Sequence, residues 1–196
     1  MQNNILQTLT KEEKRNLLVK LFKNKAILFR EGDLCDAVSI VVSGEIKIVS
    51  TSFEGHEIIF NTIEKDEIFG NNLIFSDQPY FKGDVICTKE ATVVFINKQH
   101  LTNLLQSNKN FLIQYLSIQS NFSKKLNSTI KLLSYDSAED RLRFYLYNNN
   151  NEIFFKTITD LALTLHIQRE TLSRLLTKLK KENVIVRSPH RIKIIN

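Results

Sequence analysis

The sequence predicts an α+β chain in three parts: an N-terminal β-roll of jelly-roll type over residues 1–107, one long helix over 108–135, and a C-terminal helix–turn–helix segment closed by a hairpin over 136–196. Three observations predict this. All five glycines fall between residues 32 and 83, separated by short β-rich runs. From about Lys98 glycine vanishes and apolar residues recur at helical spacing. The last 61 residues break into short helical patterns and end in two β-rich runs around Ser188-Pro189-His190.

The roll rests on its punctuation. Gly32, Gly44, Gly55, Gly70 and Gly83 arrive every 11 to 15 residues, and glycine supplies the positive φ that tight turns need. Between them lie Ala26–Phe29, Val38–Val42, Ile46–Val49, Ile58–Phe60, Val85–Cys87 and Val93–Ile96. Short strands at regular spacing read as a closed or sandwiched β-fold, here over about residues 20–97. Alternation in Ile46–Val49 predicts Ile46 and Ile48 inward and Lys47 outward.

Residues 98–106 read as a short helix and about 108–135 as a long one. Leu112, Tyr115, Phe122, Leu126, Ile130 and Leu133 recur in steps that hold one face. A helix of this length spans about 40 Å at 1.5 Å per residue, more than a small domain covers. A second copy of the same helix covers it, which predicts a two-fold homodimer with Tyr115, Phe122, Leu126, Ile130 and Leu133 along the seam.

Asp136-Ser137-Ala138-Glu139-Asp140 offers an N-cap followed by acids and opens a new helix. Asn148 to Asn151 forms a loop. Helices follow over about 158–165 and 168–182, then a hairpin from Val184–Arg187 and Arg191–Ile195, together a winged helix-turn-helix. Thr159 or Asp160 is expected to cap the first of these helices. Leu161, Ala162 and Leu165 face inward, and His166 occupies the turn. Leu172, Leu175, Leu176 and Leu179 form the buried side of the second helix. Gln168 opens it, with Arg169, Glu170, Ser173 and Arg174 outward near its N-terminus.

Such a set suits base reading. Arg reaches guanine O6 and N7, and Glu accepts from cytosine N4. Lys178, Lys180 and Lys181 further along suit phosphates. Charge agrees: of a net +6, residues 136–196 hold +4, from 11 Lys/Arg against 7 Asp/Glu.

At 42% apolar and 24% charged the composition is that of an ordinary globular protein. No apolar run nears the ~18 residues of a membrane span, and the N-terminus lacks a signal-peptide pattern, so a cytoplasmic protein without membrane association is expected. Cys35 and Cys87 are too few for a thiolate cluster and read as reduced side chains. His56, His100, His166 and His190 show no metal-site spacing. Without a nucleophile elbow, metal triad or phosphate loop, the chain does not read as an enzyme.

These residues resemble the cyclic-AMP receptor protein and FNR family of bacterial transcription regulators, over nearly the whole chain. R-E-T-L-S-R-L-L (169–176) is similar to that family's recognition helix. Arg169, Glu170 and Arg174 fall on its base-contacting positions, and Glu170, Ser173 and Arg174 fit the E-x-x-S-R pattern of the FNR type. E-G-D (31–33), V-V-S-G-E-I-K (41–47) and E-G-H-E-I (54–58) resemble the family's β-roll turns, and Arg141 the arginine that opens its first helix after the dimer helix. The resemblance implies a homodimer on a palindromic promoter site in double-stranded DNA, with RNA polymerase and a small-molecule effector as further partners.

The departures bear on the effector. The helix-turn-helix turn usually carries glycine. His166 stands there, and histidine tolerates left-handed backbone. Where cyclic-nucleotide binders of the family carry F-G-E-L, this chain has Phe69-Gly70-Asn71-Asn72-Leu73. Where they carry Arg-Ser it has Phe81-Lys82, and lysine is a poor substitute for a bidentate arginine. The FNR iron–sulfur cluster needs four cysteines. An altered effector pocket is therefore expected near Gly70, Asn71, Lys82, Leu126 and Asn127, with no cofactor, cyclic AMP disfavoured, and the effector unidentified. The alternatives are a true cyclic-nucleotide sensor with unusual ligands, and a cyclic-nucleotide regulatory module without a DNA role.

Overall fold

The computed structural model describes residues 5–195 apart from positions 53 and 56, with Phe60 described by its backbone alone. His56 and part of the 54–58 turn therefore lie outside the described residues. The chain packs as two compact units, Met1–Asn121 and Phe122–Asn196.

The first unit is an antiparallel roll. Its strands are β1 (Leu18–Phe22), β2 (Ile27–Phe29), β3 (Ala37–Thr51), β4 (Glu57–Ile63), β5 (Ile68–Phe69) and β6 (Asp84–Asn97). The order is β1-β6-β3-β4, with β2 also on β6 and β5 on β3. Two short 3₁₀ turns, Ile5–Thr8 and Glu13–Asn16, precede β1, and Ile5 and Leu9 plug into the roll's core. β1 had no counterpart in the sequence reading because its side chains are largely exposed, so it shows no buried alternation.

The short runs around Gly44 prove continuous. Val38–Val42 and Ile46–Val49 are halves of the 15-residue β3, and Val85–Cys87 and Val93–Ile96 are halves of β6. Gly44 is therefore not at a turn between strands. It sits at φ +89 within β3, where the β3–β6 register shifts between Ser43 and Glu45. A β-carbon there would lie 2.2 Å from the Glu90 carbonyl oxygen, so glycine marks a bulge at which two backbones approach closely. A second correction follows from another bulge. Ile46 is fully buried as expected, but the β3–β4 register slips between Ile48 and Val49, and Val49 turns inward while Ile48 is only partly buried.

Two helices follow, α1 (Lys98–Ser107) and α2 (Lys109–Leu133). Asn97 caps α1 by accepting from the His100 amide at 2.8 Å, and the Asn108 side chain accepts from the Phe111 amide at the start of α2. Leu101, Leu104, Phe111 and Tyr115 complete the roll's core. At its other end α2 supplies Leu132 to the core of the second unit.

The second unit contains α3 (Ala138–Asn148), β7 (Glu152–Phe154), α4 (Ile158–Leu165), α5 (Arg169–Lys181), β8 (Ile185–Ser188) and β9 (Arg191–Ile194). The three strands form an antiparallel sheet in the order β7-β9-β8. Ser137 caps α3, its hydroxyl oxygen accepting from the Asp140 amide at 3.0 Å. Asn150 and Asn151, in the expected loop, both take positive φ, which asparagine tolerates better than most residues. The core joins Leu142, Leu146, Ile153, Leu161, Leu165, Leu172, Leu176, Leu179, Ile185 and Ile192.

Candidate nucleic-acid interface and effector pocket

The helix-turn-helix is α4, a tight turn and α5. The cap of α4 is Thr157, not Thr159 or Asp160. Its hydroxyl accepts from the Asp160 amide at 3.1 Å and donates to the Asp160 carboxylate at 2.8 Å. Asp160 thus supplies both the amide and the carboxylate that the Thr157 hydroxyl binds, and is the partner of the cap rather than the cap. At the other end His166 adopts φ 51, ψ 47, the left-handed conformation. Ile167 N–H then reaches back to the Ala162 carbonyl at 3.0 Å, the six-to-one bond of a Schellman ending. His166 thereby takes the backbone role that glycine has in the family pattern.

α5 is strongly two-sided. Leu172, Leu176 and Leu179 are buried and Leu175 is partly so. Gln168, Arg169, Glu170, Ser173 and Arg174 are exposed on its first two turns. Arg169 and Glu170 lie 3.8 Å apart as a solvated pair, and the Arg174 side chain has no hydrogen-bond or ion-pair partner among the described residues. The lysines divide. Lys180 and Lys181 are exposed and unpaired among the described residues, whereas Lys178 reaches the Glu139 carboxylate at 3.4 Å. Glu139 is held below the ordinary carboxylate range by its hydrogen bond from Arg143 and, more weakly, by Lys178.

Beyond the residues picked out by spacing, α5 and the hairpin enclose a cleft lined by Thr177, Lys180, Arg187, Ser188 and Pro189. Arg187 was not singled out in the sequence because a lone arginine in a short strand carries no periodic signal. The pairing of β8 with β9 turns the hairpin tip toward the C-terminal half of α5.

The expected effector residues lie in both units. In the first, Gly70 (φ +77) opens a turn after β5, and a β-carbon there would meet the Ala37 carbonyl and Cys35 Sγ at 3.0 Å. Asn71, at the position where the family's binders carry the ribose-binding glutamate, is only 5% exposed. Its side-chain amide donates to Gln119 Oε1 at 2.9 Å. Gln119 Nε2 returns a bond to the Asn71 carbonyl at 2.9 Å and another to Tyr115 Oη at 3.0 Å. Phe81 is 3% exposed and stacks on Phe29 with ring centroids 4.4 Å apart, while Lys82 beside it is exposed. Leu126 and Asn127 belong to the second unit and are exposed there.

Of the expected seam residues, Leu126, Ile130 and Leu133 are exposed apolar positions and Phe122 is partly buried. Tyr115 is corrected: it is 5% exposed within the roll's own core, and burial pushes its phenol pKa up. Its place in the 3.6-residue pattern was real, but the pattern there faces the roll. Among the described residues no cluster of His, Cys, Asp or Glu could hold a metal ion, and no helix is long and apolar enough to cross a membrane.

A β-roll of the cyclic nucleotide-binding type followed by a helix-turn-helix defines a DNA-binding transcription regulator. Residues 19–108 match the cyclic nucleotide-binding domain and residues 132–196 the Crp-like helix-turn-helix domain. The chain belongs to the cyclic-AMP receptor protein/FNR family, a family of regulators rather than enzymes. It is 25% identical over 169 residues to the anaerobic regulatory protein of Bacillus subtilis (strain 168), covering 81% of this chain and 71% of that one. It is 20% identical over 179 residues to the cyclic AMP receptor protein of Thermus thermophilus, covering 89% and 82%. In fold it resembles a CooA mutant from Carboxydothermus hydrogenoformans, with a TM-score of 0.70 at 18% identity over 95% of this chain and 87% of that one.

Proposed function

We propose that this protein acts in the cytoplasm as a homodimer that binds a two-fold symmetric promoter site, each subunit laying α5 in the major groove. The carrying observation is the exposed set Glu170, Ser173 and Arg174 on the first two turns of α5, opposite the buried leucines, with Arg174 unpaired among the described residues. A helix N-terminus presented in this way reads base edges. Glu170 and Arg174 jointly read a G·C pair, and Arg169 takes a neighbouring guanine or phosphate. Lys180 and Lys181, with Arg187 across the cleft, hold the backbone. Leu126, Ile130 and Leu133 supply the dimer seam. RNA polymerase is the further partner at the promoter.

The effector pocket is an altered one that does not take cyclic AMP in the family's manner. Two observations support this. Asn71 is buried with its side-chain amide donated to Gln119, and the hydrophobic Phe81 stands in the phosphate-binding segment. The second reading, a true cyclic-nucleotide sensor, rests on the match of residues 19–108 to the cyclic nucleotide-binding domain.

Selection of the bound sequence from a random DNA pool, with and without small molecules extracted from cells, tests the proposal. Enrichment of a palindrome with half-sites about 34 Å apart is expected. Recovery of unrelated sequences overturns it.

A further inference from the structure

Arg141 occupies an unusual position between two backbone turns of the second unit. It lies one turn into α3, which Ser137 caps, and helical side chains point back toward their helix N-terminus. Its guanidinium therefore reaches the segment before α3. Nε donates to the Tyr135 carbonyl at 2.8 Å, and one terminal nitrogen donates to the His166 carbonyl at 2.9 Å. Tyr135 lies two residues beyond the end of α2. His166 is the left-handed residue between α4 and α5. Carbonyls at helix C-termini are short of partners and carry the negative end of the helix dipole, so a fixed cation suits both. A planar guanidinium holds two acceptors in a fixed, pre-organised fork, whereas an ammonium is a point charge on a flexible stem whose three donors rotate freely.

From this geometry we propose that Arg141 is a positioning residue: it fixes the turn before α5 to the end of α2, and so sets the angle at which α5 is presented to DNA. The inference rests on the reading of α5 as the DNA-reading helix. It adds a positioning residue that lies on α3, outside the exposed face of α5. The α2 end is itself anchored in this unit, because Leu132 is buried in its core and Tyr135 packs on Phe144 with ring centroids 5.1 Å apart.

The test uses the full chain with Arg141→Lys and Arg141→Gln, a duplex carrying the selected site and an unrelated duplex of equal length. Both variants should lose about tenfold or more in affinity for the selected site, the scale of a lost charge-assisted hydrogen bond. Affinity for the unrelated duplex should hold within about threefold, and the salt dependence should not change. Arg141→Lys should fail like Arg141→Gln. Three results overturn the proposal: equal losses on both duplexes with a salt slope smaller by about one, which makes Arg141 a phosphate ligand; recovery of wild-type site preference in Arg141→Lys, which makes charge alone sufficient; or variants already unfolded by circular dichroism at room temperature, which makes the role one of stability. If the wild type shows no preferred site, the DNA reading itself fails. The positioning claim is then decided by the amide signals of His166 and Ile167 in nuclear magnetic resonance spectra without DNA, which must shift in both variants.

Discussion

Asn71 and Gln119 exchange hydrogen bonds across 48 residues of sequence, the Asn71 side chain donating to Gln119 and Gln119 donating to the Asn71 carbonyl, both at 2.9 Å. The turn that in the family's cyclic-nucleotide binders contributes a ribose ligand is here tied to a glutamine of α2. Gln119→Ala should leave the buried Asn71 amide without a partner and destabilise the roll by about 1–3 kcal/mol, read by denaturant unfolding of the first unit's signal. Cyclic AMP should show no low-micromolar binding by calorimetry with the wild type. A clear low-micromolar isotherm revives the sensor reading.

Ile130 is 62% exposed, and Leu126 and Leu133 are exposed beside it in the 3–4 spacing that a partner helix covers. The double change Leu126→Asp and Ile130→Asp should give monomers in sedimentation at micromolar concentration and abolish binding to the selected site. An unaltered sedimentation coefficient, or a monomeric wild type, removes the seam.

Base readers and phosphate holders on α5 should separate in one binding series. Arg174→Ala should cost about 1–3 kcal/mol per half-site and relax the preference at one base pair. Lys180→Ala should weaken every sequence alike and flatten the salt dependence. Lys178→Ala should do less, because that ammonium is already committed to Glu139. If Arg174→Ala weakens all sites equally while the preferred base persists, α5 does not read bases through this residue.

Gly44 and Gly32 share a positive φ but not a surrounding, +89 with the Glu90 carbonyl 2.2 Å from a β-carbon in one case, +88 with open space in the other. Gly32→Ala should cost about 1–2 kcal/mol, the strain of left-handed backbone. Gly44→Ala should cost clearly more, since β3 and β6 must also separate. Equal midpoint shifts in urea contradict the bulge assignment.

Cys35 and Cys87 are free and buried, and desolvation pushes the Cys35 thiol up to about 11. A thiol with its pKa raised stays protonated, and so unreactive, at neutral pH. Both should resist Ellman's reagent at pH 8 in the folded protein and react in denaturant. Rapid labelling of Cys35 in the native state would falsify this.

The sequence by itself determined what is local. The two-sided pattern of α5, the cap that opens α3, the asparagine loop and the tolerance of His166 for left-handed backbone all follow from neighbours within about a turn, because helical periodicity and capping are short-range. The exposure of Arg169, Glu170, Ser173 and Arg174 on α5 was legible for the same reason. Tertiary structure alone decided the matters that need a distant partner. Gly44 reads as a turn until β6 crosses it at Glu90. Tyr115 lies on the same apolar pattern as Leu126 until the roll packs against its stretch of α2. Asn71 looks like a free pocket residue until Gln119 meets it, and Arg141 joins Tyr135 to His166 only once α3 and α4 are packed. A periodic pattern fixes which residues share a face. What that face meets is fixed by packing between segments far apart in the chain.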